Sequence, residues 1–261
     1  MIRFGIGGWT FEEWRGTFYP DDLPAKRELE YASRKLTTIE INGTFYRTQT
    51  PSSFKKWFDE TPDDFVFSVK APRYIVGKKE LAGTGELIDV FLNSGLSELK
   101  QKLGPILWQL APYKKFSDDI AVFLKMLPHE HGGLRLRHAL EIRSKSFLVP
   151  AVVDLARLHN VAIVYADSDD YPAIADVTAD FTYARLQRCV ESEPTGYSNE
   201  ALDQWMVRAR EWENGVAPKG LDTYNTPSTP SKEKHDVFIY FISGAKVRAP
   251  HAAMAMIEHL A

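Results

Sequence analysis

The feature that most constrains the fold is a recurrence. Eight short runs of alternating or continuous apolar residues, each separated from the next by a longer polar or amphipathic stretch, span the chain from Arg3 to Phe241. A strand that must pair parallel to its predecessor needs a crossover of helix length, so this rhythm is that of repeated βα units. The runs are Arg3–Gly8, Thr37–Asn42, Phe65–Lys70, Ile106–Leu110, Leu140–Arg143, Ala162–Asp167, Phe181–Leu186 and Val237–Phe241. Eight units in 261 residues suit a closed ring, and the expected fold is α/β, a (β/α)8 TIM-type barrel.

The connecting stretches predict helices at Ala25–Lys35, Ser53–Glu60, Gly85–Leu99, Asp118–Leu127, Pro150–His159, Asn199–Glu213 and Pro250–Leu260, with Pro150 and Pro250 at first-turn positions that need no amide donor. Ser168–Asp180 contains Pro172 and lacks helical periodicity, so the sixth helix is expected to be short or missing. Residues 214–236 carry Pro218, Pro227 and Pro230 among Ser, Thr and Lys, and read as a loop inserted before the last strand of one barrel domain spanning 1–261.

Charge narrows the partners. A net charge of −3 supplies no general attraction for phosphate backbones and argues against a nucleic-acid partner. The lone Cys189 cannot form an internal disulfide, no signal-peptide core is present and no apolar run is long enough to cross a bilayer, so a cytoplasmic location off the membrane is expected.

In a barrel of this kind the C-terminal strand ends converge on one mouth, and side-chain alternation decides which residues face it. Glu40 and Asn42 alternate with Ile39 and Ile41, while Glu141 and Arg143 alternate with Leu140 and Ile142. Lys70, Gln109, Asp167, Tyr183 and Arg185 stand at or near the ends of four other strands. So many charges gathered in one interior must pair, titrate or meet water, which singles out Glu40, Glu141 and Asp167 as candidate acid–base groups. Lys70, Arg143 and Arg185, with Gln109, Asn42 and Tyr183, are candidate ligand contacts. Trp9 after strand one and Tyr46 after strand two add aromatic surface suited to sugars or bases. The loop Ser243–Pro250 brings Lys246 and Arg248 before a helix N-terminus and is a weaker candidate for holding an anion. There is no HExxH or CxxC pattern, which argues against a His-rich zinc site, whereas a magnesium ion held by Glu40, Glu141 and Asp167 suits carboxylate chemistry.

Several phrases resemble a known family: Gly8-Trp9, Trp14, Phe18-Tyr19-Pro20, Glu40-Ile41-Asn42 and Thr44-Phe45-Tyr46, then Phe65 to Pro72, Leu107-Trp108-Gln109-Leu110, Glu141 with Arg143, Asp167, and Tyr183-Ala184-Arg185-Leu186. They follow the order and spacing of the domain of unknown function 72, or YecE-like, proteins, as a divergent member. The resemblance implies a barrel and no established reaction. It also implies histidines where this chain has Gly77, Ser144 and Gln187, and an asparagine pair where it has Ile242 and Ser243, so an activity that uses those groups elsewhere would be altered or lost here.

Three functional readings follow. The first is an enzyme acting on a carbohydrate or phosphosugar by carboxylate acid–base chemistry. The second is a non-catalytic binding protein for a small polar or anionic ligand. The third is a nuclease-like barrel, disfavoured by the charge balance.

Overall fold

The structure is a computed structural model that describes residues 1–225 and 232–260. The barrel strands are β1 (Ile2–Gly7), β2 (Thr38–Ile41), β3 (Val66–Lys70), β4 (Leu103–Gln109), β5 (His138–Glu141), β6 in two pieces (Val161–Ile163 and Tyr165–Asp167), β7 (Phe181–Leu186) and β8 (Asp236–Phe241). All neighbours pair parallel, in the order β5-β4-β3-β2-β1-β8-β7. The ends of that ladder meet at β6, whose first piece pairs with β5 and whose second pairs with β7. The expected eight-unit TIM-type barrel is therefore the observed one.

Helices flank the strands: α1 (Glu28–Ser33), α2 (Pro51–Glu60), α3 (Gly85–Leu92), α4 (Asp118–Met126), α5 (Pro150–Leu158), α6 (Asn199–Glu213) and α7 (Ala249–Leu260). No helix follows β6, where 168–180 runs as irregular chain, in line with the expected gap. The helix foreseen over Gly85–Leu99 stops at Leu92, because Gly95 takes φ 115° against Pro51 and starts a separate 3-10 segment, Leu96–Lys102.

Two apolar layers follow from alternation along the strands. Residues such as Ile39, Ile41, Phe67, Val69, Trp108, Leu140, Ile142, Ala184 and Ile239 pack outward against the helices. Val66, Leu107, Ala139, Ala162, Val164, Phe181, Tyr183, Phe238 and Tyr240 fill the interior. Above the apolar floor lies a polar tier, in which the Tyr240 hydroxyl meets Ser68 Oγ at 2.6 Å and Thr38 Oγ1 at 2.8 Å.

β1 alone contributes no side chain to the upper interior. A Cβ at Gly5 would lie 1.9 Å from the carbonyl oxygen of Thr38, and one at Gly7 would lie 2.9 Å from Asn42 Nδ2. Close approach of backbone dictates the glycine at position 5, a side chain at position 7 would displace the Asn42 amide, and the space beside both stays open above the tier.

The lower end is tied more firmly than the composition of 214–236 suggests. The Asp176 carboxylate accepts from the amides of Tyr224 and Asn225 at 2.7 and 3.2 Å, and Ala175 N donates to Asp222 O. Leu221 and Tyr224 pack on the core. Residues 226–231 of that stretch lie outside the described residues. Among the described residues no helix is long and apolar enough to cross a membrane.

Candidate functional site

Three side chains at the barrel mouth, from three different strands, form the centre of one hydrogen-bonded network. Arg185 of β7 lies side-on to Glu40 of β2, its Nε donating to Oε2 and its Nη2 to Oε1, both at 3.1 Å. Its remaining nitrogen, Nη1, donates to Glu141 Oε2 on β5 at 2.6 Å. Tyr183 donates its hydroxyl to Glu40 Oε2 at 2.6 Å, Gln109 its amide to Glu141 Oε2 at 2.8 Å, and Arg143 Nε to Glu141 Oε1 at 3.0 Å. Both glutamates are 0% exposed. Burial opposes the charge on Glu141, yet Arg185 and Arg143 outweigh it and hold that carboxyl below the usual range. Burial and the Glu40 carboxylate push the Tyr183 phenol far above its usual range, so it remains a donor.

Lys70 belongs to the same tier but not to the network. It is 8% exposed, and among the described residues its ammonium makes no hydrogen bond or ion pair, although Glu40 and Glu141 are both within electrostatic reach. Those carboxylates are already occupied by Arg185, Arg143, Gln109 and Tyr183. Lys70 Nζ instead lies 4.3 Å from the centroid of the Phe45 ring. The loop after β2 sets this position twice: the short helical turn Gly43–Tyr46 carries Phe45, and Thr44 Oγ1 donates to the Lys70 carbonyl at 2.7 Å. Burial, reinforced by Arg185, pushes the Lys70 amine down to about 8.

Lys70 opens into a central cavity of about 250 Å³, bounded also by Arg185, Arg143, Gln109, Gln187 and Lys246. The Nε2 of Gln187 is buried there without an acceptor among the described residues. Gly7, Asn42 and Lys246 continue the cavity into a second lobe of about 470 Å³ faced by Trp9, Tyr46 and Trp57. On the other side Gln109 and Arg143 lead to a third lobe of about 370 Å³ along Phe45, Gly77 and Tyr113. The mouth is thus a three-part cleft with a cationic centre and an aromatic wing.

Most of the residues expected at the mouth are there. Glu40, Glu141, Arg185, Tyr183, Gln109 and Arg143 form the network; Asn42, Trp9, Tyr46, Lys70 and Lys246 line the cleft. Tyr46 is 77% exposed at the rim, its ring edge-on to Phe45. Lys246 lies 4.3 Å from the Phe11 centroid, and burial lowers its amine. Arg248 is turned away, donating to the Glu191 carbonyl at 3.1 Å.

Asp167 does not join the others. It is in register with Leu186, which packs outward, and with Ala162 and Val164 inside, alternation places both Tyr165 and Asp167 outside. Its carboxylate pairs with Arg188 at 3.4 Å. The expectation of a shared mouth rested on its being last in a strand, and the phase of the alternation was the signal that overrides position. Among the described residues no three His, Cys, Asp or Glu side chains cluster as metal ligands, so the trio Glu40, Glu141 and Asp167 is not assembled.

Gln187, the next alternate position after Tyr183 and Arg185, and Phe45, beside Tyr46 after strand two, line the cleft as their places in the sequence suggest. Trp57 and Arg47 are contributions that reasoning from strand ends missed, because they sit on a helix and a loop rather than on strands.

The family model described as "Protein of unknown function DUF72" matches residues 3–261. The chain belongs to the DUF72 family. It is 25% identical over 241 residues to the UPF0759 protein YecE of Escherichia coli K12, covering 84% of each. It is 28% identical over 155 residues to YunF of Bacillus subtilis, an overlap of 58% of this chain and 53% of that protein. Among solved structures, a DUF72 family protein from Thermotoga maritima superposes with a TM-score of 0.72 at 23% identity, over 100% of this chain and 99% of that one. One from Enterococcus faecalis gives 0.69 at 20% identity, over 100% and 97%. These likenesses extend the DUF72 barrel to this chain and carry no reaction with them.

Proposed function

We propose that the barrel mouth of this DUF72 protein binds a small hydroxylated anion, of the sugar-phosphate or sugar-acid class, in the cationic cavity around Lys70, Arg143 and Lys246. The observation that carries this reading is the isolation of Lys70: a buried ammonium in a cavity whose neighbouring carboxylates are already taken. A buried cation whose neighbouring carboxylates are taken opposes folding, and a bound anion would supply the missing partner. Arg143 and Lys246 add positive charge to the same cavity, Gln187 adds an unanswered donor, and Trp9 and Tyr46 offer the flat apolar surface that sugar rings prefer.

Turnover of such a ligand by Glu40 and Glu141 has less behind it. Glu141 is kept ionised by two guanidinium groups, so it is not a proton donor, and both carboxylates are out of contact with solvent. Their role in this reading is to fix Arg185 and Arg143.

The test is a thermal-shift and calorimetric comparison of sugar phosphates and sugar acids with the matching neutral sugars. Anionic members at one hundred times Kd should raise the melting temperature by several degrees, the consequence of about 2.7 kcal/mol of linkage. Lys70→Met should remove that response. Equal responses to neutral sugars, or an undiminished response in Lys70→Met, would reject the assignment.

A further inference from the structure

We propose that Lys70 is a covalent site: its Nζ condenses with the carbonyl of a small anionic aldehyde or ketone held in the central cavity, forming an imine. This rests on the anion-binding reading above and specifies its substrate class as a carbonyl-bearing acid or phosphate.

Geometry makes the case. A lysine that serves as a structural cation is found against carboxylates or carbonyl oxygens, as Lys102 is, donating to Phe58 O at 2.6 Å and Thr61 O at 2.7 Å. Lys114 likewise donates to Lys79 O and faces Asp119. Lys70 is buried to a similar degree and has neither kind of partner, yet its backbone is pinned by Thr44 and its amine is backed by Phe45. It stands at the inner end of a cavity that a small molecule can enter, with Arg143 and Lys246 on the walls to take the anionic end of such a molecule.

The protonation state agrees. With the amine near 8, about a tenth of Lys70 is neutral at pH 7, against roughly one part in three thousand for an ordinary lysine. That is the activation a lysine nucleophile needs, and burial beside Arg185 supplies it. The neutral amine attacks the carbonyl carbon, and its proton passes to the carbonyl oxygen to give a carbinolamine. Loss of that oxygen as water, with one proton taken from solvent, leaves a protonated imine. A C=N double bond replaces the C=O double bond, whose oxygen leaves as water, no electrons change hands, and the cation is retained beside Glu40 and Glu141.

Dihydroxyacetone phosphate and pyruvate are suitable probes, with glycerol 3-phosphate and lactate as carbonyl-free counterparts. The full chain is incubated with each and treated with sodium borohydride, which reduces an imine to a stable secondary amine located by peptide mapping. The expected result is a single adduct on Lys70, formed at least tenfold faster than on any surface lysine, suppressed by excess glycerol 3-phosphate and absent from Lys70→Arg. Peptide mapping of the unsubstituted protein locates the adduct even if Lys70→Arg folds poorly. If dihydroxyacetone phosphate and glycerol 3-phosphate bind by calorimetry but Lys70 remains unmodified, the imine is overturned while the anion site stands. If neither phosphate nor carboxylate probe binds, the anion site falls and the imine with it.

Discussion

Arg185 clasps Glu40 side-on, with Nε and Nη2 donating to the two carboxylate oxygens at equal distances of 3.1 Å. The third nitrogen of the same guanidinium reaches Glu141, so one cation joins β2, β5 and β7 across the barrel. A planar fork can do this and an ammonium cannot.

Removing the fork should therefore cost far more than one ion pair at the surface. Arg185→Lys and Arg185→Met each leave two buried carboxylates without their shared partner, and a loss of about 3–5 kcal/mol is expected for breaking a buried pair of this kind. Urea denaturation would measure it. Glu141→Gln should also destabilise, since Glu141 accepts from Arg185, Arg143 and Gln109, and its amide cannot accept all three. A change below about 0.5 kcal/mol in Arg185→Met, the range of ordinary surface substitutions, would mean that the network is dispensable for folding.

Asp167 offers the contrasting case. Its carboxylate lies on the helix side of β6, paired with the half-exposed Arg188, and burial raises its pKa despite that partner. The charge is thus mildly opposed by its surroundings. Asp167→Asn should leave ligand binding at the mouth within about twofold and change stability by less than about 1 kcal/mol. A tenfold loss of affinity by calorimetry would place Asp167 in the site after all.

Much of this was legible in the sequence, for reasons that can be named. Glu40 between Ile39 and Ile41, and Glu141 between Leu140 and Ile142, announce inward carboxylates because a strand has only two faces. The same rule, followed from Ala162 and Val164, turns Asp167 outward. β4 begins at Leu103, earlier than the expected Ile106, because Gly104-Pro105 is carried within the strand as a bulge, where the register shifts against β3 and a Cβ at Gly104 would lie 2.6 Å from Phe67 O. The hairpin pairing Glu130–His131 with Leu134–Arg135 was also missed, although Gly132 and Gly133, both at positive φ, are the residues such a two-residue turn requires. What no local pattern could supply is pairing: which cation takes which carboxylate, and hence that Lys70 is left over, is decided only when five strand ends meet.

The lower end of the barrel yields a prediction about the insertion at 214–236. Composition suggests that it contributes little, but Asp176 holds two amides of its first half and Arg157 lies 3.6 Å from the same carboxylate. Asp176→Ala should lower stability by about 1–3 kcal/mol, the cost of leaving buried donors unanswered. Thermal unfolding would detect it as a shift of several degrees. An unchanged midpoint would show that this stretch is indeed as loosely held as its prolines imply.

Lys70 should give the chain a distinctive dependence on pH. Burial first, then repulsion from Arg185 and Arg143, bring its amine from the usual 10.5 down to about 8, with Glu40 and Glu141 pulling the other way. The unfolded chain therefore holds the proton more tightly than the folded one. Below pH 8 the penalty for folding around the charged amine is complete, and it is relieved as pH rises from 8 toward 10.5. Lys70→Met, which keeps the stem and removes the charge, should be more stable than the natural sequence at pH 7, by up to about 3 kcal/mol, and this advantage should shrink at pH 9.5. Affinity for an anion should move oppositely, weakening in the natural sequence as pH passes 8. Lys246, at the same cavity and also lowered by burial, contributes to that loss, so the measurement is best made in a Lys246→Met background, where Arg143 and Arg185 keep their charge throughout. Chemical denaturation at the two pH values, with calorimetry of glycerol 3-phosphate across the same range, reads both effects. If Lys70→Met is less stable than the natural sequence at pH 7, Lys70 is a stabilising cation with a partner, and the premise of an unpaired amine at the centre of the mouth is wrong.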